Sequence, residues 1–197
     1  MTPLTASQAL WDIWIVSWAI AAVWTRRTTA RARPLDQFLH LAPFLAGTAL
    51  LFFGESGQFG PDFIRPPGRL LWRLPLAADW SLTVVVAIGL GFTWWARVTI
   101  GSFWSSGVSR KDGQAIVQSG PYRLVRHPIY TGLILAAAAL ATQIGMPTNL
   151  AGAALIALSF FLKARLEERL LGEALGPDYA AYRARTPMLT PFWPARR

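Results

Sequence analysis

The chain contains no cysteine, which removes disulfide frameworks, thiolate metal sites and cysteine nucleophiles from consideration. Histidine occurs twice, at His40 and His127. Charge is scarce: 15% of the 197 residues are Asp, Glu, Lys or Arg, where a soluble domain carries about 25%. The first apolar run has neither the basic leader nor the small-residue cleavage site of a signal peptide, so it reads as a retained helix. Internal repeats and low-complexity tracts are absent from the sequence, and residues 1–197 read as one domain.

What the chain has instead is apolar surface, with 53% hydrophobic residues and ten tryptophans. Apolar runs recur at 9–24, 38–53, 80–95, 129–144 and 150–162. Counted to their flanks, the first three approach the roughly 20 residues that cross a hydrocarbon core, and the last two are shorter. The expectation is an all-α integral membrane protein of about five transmembrane helices. Residues 1–98 hold three spans. Residues 99–197 hold a polar loop, a short helical hairpin turned at 145–149, and C-terminal helices. Small residues in both arms, Ala136 and Ala139 in one and Gly152 and Ala153 in the other, predict that the hairpin packs closely on itself. The Gly- and Pro-rich stretch 55–79 reads as a loop on the opposite face, with a surface-lying piece near 70–74. Gly176-Pro177 predicts a break in the last helix, followed by a short helix over 178–185 and an irregular tail.

The net charge of +9 raises nucleic acid as a partner, but the arginines form no single stripe. Assigned alternately to the loops of five spans, sixteen basic residues fall on one side, and only Arg65, Arg69 and Arg73 fall on the other. Short basic loops stay cytoplasmic. The charge is therefore a topology signal, with the N-terminus outside, the C-terminus cytoplasmic and no nucleic-acid role. A bacterial inner membrane is the expected location.

One polar stretch stands out among these segments: Ser119-Gly-Pro-Tyr122-Arg-Leu-Val-Arg126-His127-Pro128-Ile129-Tyr130-Thr-Gly132. Pro128 suits the first turn of a helix, and two readings follow. In the plain one, His127 caps that helix and Arg123 and Arg126 mark the cytoplasmic side. In the other, Tyr122 and Tyr130 beside the free N–H groups of a helix start accommodate a polar ligand with a flat ring. Beyond the hairpin, Lys163 and Glu167 stand at i, i+4 on one helix face, with Arg165 and Glu168 beside them. A solvated helix exit with intrahelical ion pairs accounts for that pattern alone. The hairpin, however, returns the acidic pair to the membrane face that holds His127.

The order Gln114-Ala-Ile-Val117, Gly120-Pro-Tyr122, Arg126-His-Pro-Ile-Tyr130-Thr-Gly132, Glu167-Glu168 and Gly176-Pro-Asp-Tyr179-Ala-Ala-Tyr182 resembles the isoprenylcysteine carboxyl methyltransferase family. Phospholipid N-methyltransferases share its core pattern. The resemblance covers roughly residues 103–194. It implies an S-adenosylmethionine-dependent enzyme with a cytoplasmic cofactor site lined by Gln114, Ala115, Ile116, Val117, Tyr122, His127, Pro128, Ile129, Tyr130, Glu167 and Glu168, and with no metal. Lys163, where eukaryotic members place arginine, and Arg165 are the expected catalytic cations, orienting an anionic acceptor. The acceptor is a lipophilic small molecule or lipid-modified group that arrives from the bilayer. Its expected reacting group is a carboxylate. A phospholipid, a small lipophilic amine or thiol, and a non-catalytic protein on the same fold are the alternatives.

Overall fold

The computed structural model describes residues 1–23, 28–31, 34–53, 70–104, 109–111 and 116–191. Five helices form the framework: α1 (Pro3–Ala21), α2 (Pro34–Phe53), α3 (Leu76–Ile100), α4 (Pro128–Ile144) and α5 (Pro147–Arg185). The helical expectation holds with one departure. Two short strands, β1 (Thr28–Arg31) and β2 (Ser109–Lys111), pair antiparallel. Of the five helices, two are long and apolar enough to cross a membrane, those containing Leu76–Phe103 and Pro147–Arg185, while Gln37–Phe53 and Pro128–Ile144 are shorter apolar segments.

The helix ends follow local chemistry. Thr2 and Thr5 form a reciprocal capping box at the start of α1, which satisfies two otherwise orphan N–H groups. Pro128 and Pro147 occupy first-turn positions of α4 and α5, where no backbone donor is lost. Gly145 closes α4 at φ 73°, a left-handed conformation that glycine adopts without a Cβ clash. Gly176, at φ 52° and ψ −127°, interrupts α5 where Gly176-Pro177 predicts a break, and helix resumes to Arg185.

The hairpin arms α4 and α5 are in contact, as expected, but their glycines face other helices. Gly152 and Gly132 make two further crossings. A Cβ on Gly152 of α5 would lie 2.8 Å from the carbonyl oxygen of Gly47 in α2, and one on Gly132 of α4 would lie 2.5 Å from that of Gly89 in α3. The backbones approach closely in the pairs α2/α5 and α3/α4, as small residues permit. Nor is the second arm of the hairpin short: α5 runs for 39 residues across its break.

One apolar cluster draws on all five helices, through Trp11, Leu51, Val86, Leu133 and Ile156 among others. Large apolar side chains also point outward, including Ile13 and Ile20 on α1, Phe38 and Leu45 on α2, Val84 and Ile88 on α3, and Leu158 and Phe161 on α5. An outward apolar surface of this extent marks a membrane or protein contact.

The loops alternate between the two ends. Pairing of β1 with β2 brings the α1–α2 connection beside the α3–α4 connection. At the other end, residues 70–75 run without regular structure onto the α4–α5 turn. There the Leu71 N–H donates to the Gly145 carbonyl at 2.9 Å, and the Trp72 indole donates to the Thr142 carbonyl at 2.9 Å.

Candidate functional site

The end of the bundle that carries the ribbon also carries the polar cluster. Its backbone frame comes from three places: the turn Gly120–Arg123, the first turn of α4, and residues 186–189 after α5. The Arg126 N–H donates to the Pro187 carbonyl at 2.9 Å, and the His127 N–H to the Met188 carbonyl at 3.1 Å. The Thr131 hydroxyl donates to the Leu189 carbonyl at 2.7 Å. Tyr182 hydroxyl donates to the Tyr122 carbonyl at 2.6 Å. The tail therefore straps the loop that presents His127, which composition alone left as an irregular end.

Within that frame the structure brings α4 and α5 side chains together. His127 holds the N-cap position of α4, yet its side chain makes no capping bond. Its Nδ1 lies 3.5 Å from Glu167 and its Nε2 lies 3.5 Å from Glu168. These are ion-pair distances, longer than a hydrogen bond. The Arg126 guanidinium donates through Nε at 2.7 Å to Glu168 and has a second nitrogen 2.5 Å from the same oxygen. Its remaining terminal nitrogen donates to the carbonyls of Arg183 and Thr186. The Tyr130 hydroxyl donates to Glu167 at 2.6 Å. Its ring stacks on His127, with centroids 5.4 Å apart, and on Phe160, at 4.9 Å. Lys163 Nζ lies 5.3 Å from the centroid of the same ring, within the range of a cation–π contact.

Burial sets the charge state of the loop residues. Removal of His127 from water disfavours its cation, but the facing carboxylates Glu167 and Glu168 outweigh that effect and raise its pKa above the ordinary histidine value. Burial, reinforced by Glu167 and Tyr182, raises the Tyr122 phenol and keeps it neutral.

The expected site residues divide as follows. Tyr122, His127, Pro128, Ile129, Tyr130, Glu168 and Lys163 are buried, and Glu167 is half-buried. His127, Tyr130, Lys163, Glu167 and Glu168 form one contact group, whereas Ile129 belongs to the apolar core. Ile116 and Val117 are half-buried, and Val117 packs against the core. Gln114 and Ala115 lie outside the described residues. Arg165 is exposed, because two residues on from Lys163 a helix turns its side chain to the opposite face. Arg123 is likewise exposed.

Sequence reasoning assigned no role to Phe160, Tyr182 or the strap. Phe160 sits in an apolar run without any distinguishing signal. Tyr182 was legible as a motif position but not as the partner of a carbonyl 60 residues away.

Residues 81–173 match the model of the isoprenylcysteine carboxyl methyltransferase (ICMT) family. Over these residues the chain is similar to that family. The match takes in α3 from Ser81 onward, upstream of the residues that carried the resemblance, and ends before Tyr179 and Tyr182. The chain is also 36% identical over 107 residues to the cobalt-zinc-cadmium resistance protein CzcN of Cupriavidus metallidurans, a stretch covering 52% of this chain and 48% of that relative. It thus spans about half the length of the curated relative that it matches.

Proposed function

We propose that this ICMT-like chain is an integral membrane methyltransferase that uses S-adenosylmethionine and acts on a lipophilic acceptor, with a carboxylate as the leading acceptor class. The observation that carries the reading is the meeting of the α4 entry with the twin acids of α5, inside the segment that matches the family.

The residues suit such a cofactor. Glu167 retains 21% exposure in a group whose other members are nearly sealed, so it offers an acceptor oxygen to cofactor hydroxyls or an ammonium. Tyr130 and His127 supply flat faces, and Ile116 and Val117 supply apolar surface. The cofactor, when bound, provides an electrophilic methyl group. The protein's share is alignment and exclusion of water, which in ideal cases supplies roughly 7–11 kcal/mol. Lys163 orients an anionic acceptor through a point charge, with less directional control than an arginine fork. An ionised carboxylate needs no general base. The positive end of the molecule faces the cytoplasm in this reading, and an acceptor enters from the bilayer.

The carboxylates of the cluster are committed to Arg126, Tyr130 and His127, and among the described residues no group of three or more His, Cys, Asp or Glu is placed to hold an ion. Incubation of purified protein with methyl-labelled S-adenosylmethionine and its own membrane extract tests the proposal. A labelled lipophilic product supports it, and base-labile label identifies an ester rather than a methylated amine or thiol. Absence of any labelled product, with cofactor intact, contradicts it.

A further inference from the structure

Among the tyrosines of the site, two have hydroxyls with evident work: Tyr130 donates to Glu167 and Tyr182 to the Tyr122 carbonyl. Tyr179 differs. It is 4% exposed, and its hydroxyl is sealed from solvent without a hydrogen-bond partner. The other atom of this cluster sealed without a hydrogen bond, Nε2 of His127, still faces the Glu168 carboxylate at 3.5 Å. Buried phenols ordinarily find a partner, and an unpaired polar atom in an interior calls for an explanation.

Tyr179 also lies in the right place. Its hydroxyl is within electrostatic reach of Glu168, Arg126 and Glu167. Its ring stands edge-on to Tyr182 with centroids 6.2 Å apart. One helical turn further on, the Arg183 carbonyl receives the Arg126 guanidinium at 3.0 Å. The segment carrying Tyr179 begins at Gly176, whose φ of +52° and empty surroundings, with nothing within 4 Å of an added Cβ, make it an unpacked joint. Beyond that joint, the polar ties of the segment run chiefly to one short stretch, Tyr122 to Thr131.

We propose that the Tyr179 hydroxyl is a ligand-binding group of this site, brought to it by the segment that follows Gly176, and that it donates to an acceptor oxygen of the bound cofactor. The assignment rests on the cofactor reading above. It explains the unpaired phenol: the hydroxyl is a donor positioned for a group that arrives from outside the chain. A purely structural tyrosine would contribute to folding and leave binding untouched.

The test compares Tyr179→Phe with Tyr182→Phe in detergent-purified full-length protein, using calorimetric titration with S-adenosylmethionine and thermal unfolding without it. Loss of one such hydrogen bond weakens binding by about fivefold. Tyr179→Phe is expected to show that loss while the ligand-free melting temperature holds or rises. Tyr182→Phe is expected to lower the melting temperature, because it strands the Tyr122 carbonyl. Unchanged affinity in Tyr179→Phe beside a binding wild type overturns this assignment alone. A wild type that binds no cofactor overturns the assignment together with the reading on which it rests. A second readout needs no variant at Tyr179: in protein labelled with 3-fluorotyrosine, four tyrosines give four ¹⁹F signals, assigned from Tyr→Phe variants at the other three. Addition of S-adenosylmethionine should move the Tyr179 signal, and a signal unmoved at saturation overturns the proposal.

Discussion

His127 sits between Glu167 and Glu168, with one ring nitrogen 3.5 Å from a carboxylate oxygen of each. The histidine comes from the loop before α4 and the acids from the far part of α5, so the contact joins segments about 40 residues apart in sequence. Placing two carboxylates around a buried imidazole favours its cation, and the cation in turn lets both acids remain ionised away from water.

A pH dependence follows. The folded-state pKa of His127 is raised above its ordinary value of 6.5. Its contribution to stability is therefore complete below that value and is lost as pH rises through the folded pKa. The loss has a slope of at most about 1.4 kcal/mol per pH unit for one proton. Melting curves from about pH 6 to about pH 10 should show the gap between wild type and His127→Gln narrowing towards alkaline pH. A gap that stays constant contradicts the assignment of a buried imidazolium.

Arg126 neutralises Glu168 and also satisfies the carbonyls of Arg183 and Thr186. Removing one partner of a buried ion pair costs about 3–5 kcal/mol, while replacing both with apolar groups costs far less. Arg126→Met is therefore expected to be severely destabilising, and Arg126→Met/Glu168→Met to recover part of the loss. Thermal unfolding of the two singles and the double checks this coupling, and simple additivity would refute it.

The helix crossings offer a test of the packing. A Cβ on Gly152 would meet the Leu51 nitrogen at 2.6 Å, whereas one on Gly91 meets nothing within 4 Å. Gly152→Ala should destabilise by about 1–3 kcal/mol through overpacking. Gly91→Ala should be neutral or stabilising by up to about 1 kcal/mol, through helix propensity. Equal melting temperatures for the two variants would contradict the α2/α5 approach.

Lys163 and Arg165 separate what spacing could not. Both are basic residues near the helix exit, but only Lys163 is buried against Tyr130. In assays with labelled cofactor and membrane extract, Lys163→Ala should lose about tenfold or more of acceptor turnover with cofactor affinity preserved. Arg165→Ala should stay within about twofold, as exposed charges usually do. A strong loss from Arg165→Ala would restore it to the site.

These comparisons mark where the sequence could be read. Apolar runs and their Pro and Gly punctuation placed five helices, and even the break at Gly176, because such signals are local. The i, i+4 relation of Lys163 and Glu167 was legible for the same reason. Partner choice was not. Gly152 advertises a close approach without naming Gly47 as its target, so beside the expected α4/α5 contact the glycines of the hairpin serve α2/α5 and α3/α4. The strap was hidden because residues 186–189 act through backbone carbonyls, which carry no residue-type signature. Pairing of β1 with β2 joins two short polar loops whose composition shows no strand alternation.

The most direct measurement of the central claim is calorimetric titration of S-adenosylmethionine into purified wild type, Glu167→Ala and His127→Ala, with folding of each confirmed by its melting transition. The account predicts binding by the wild type and at least about tenfold weaker binding by each variant, as loss of a charge-assisted contact requires. Full-strength binding in both folded variants would contradict it.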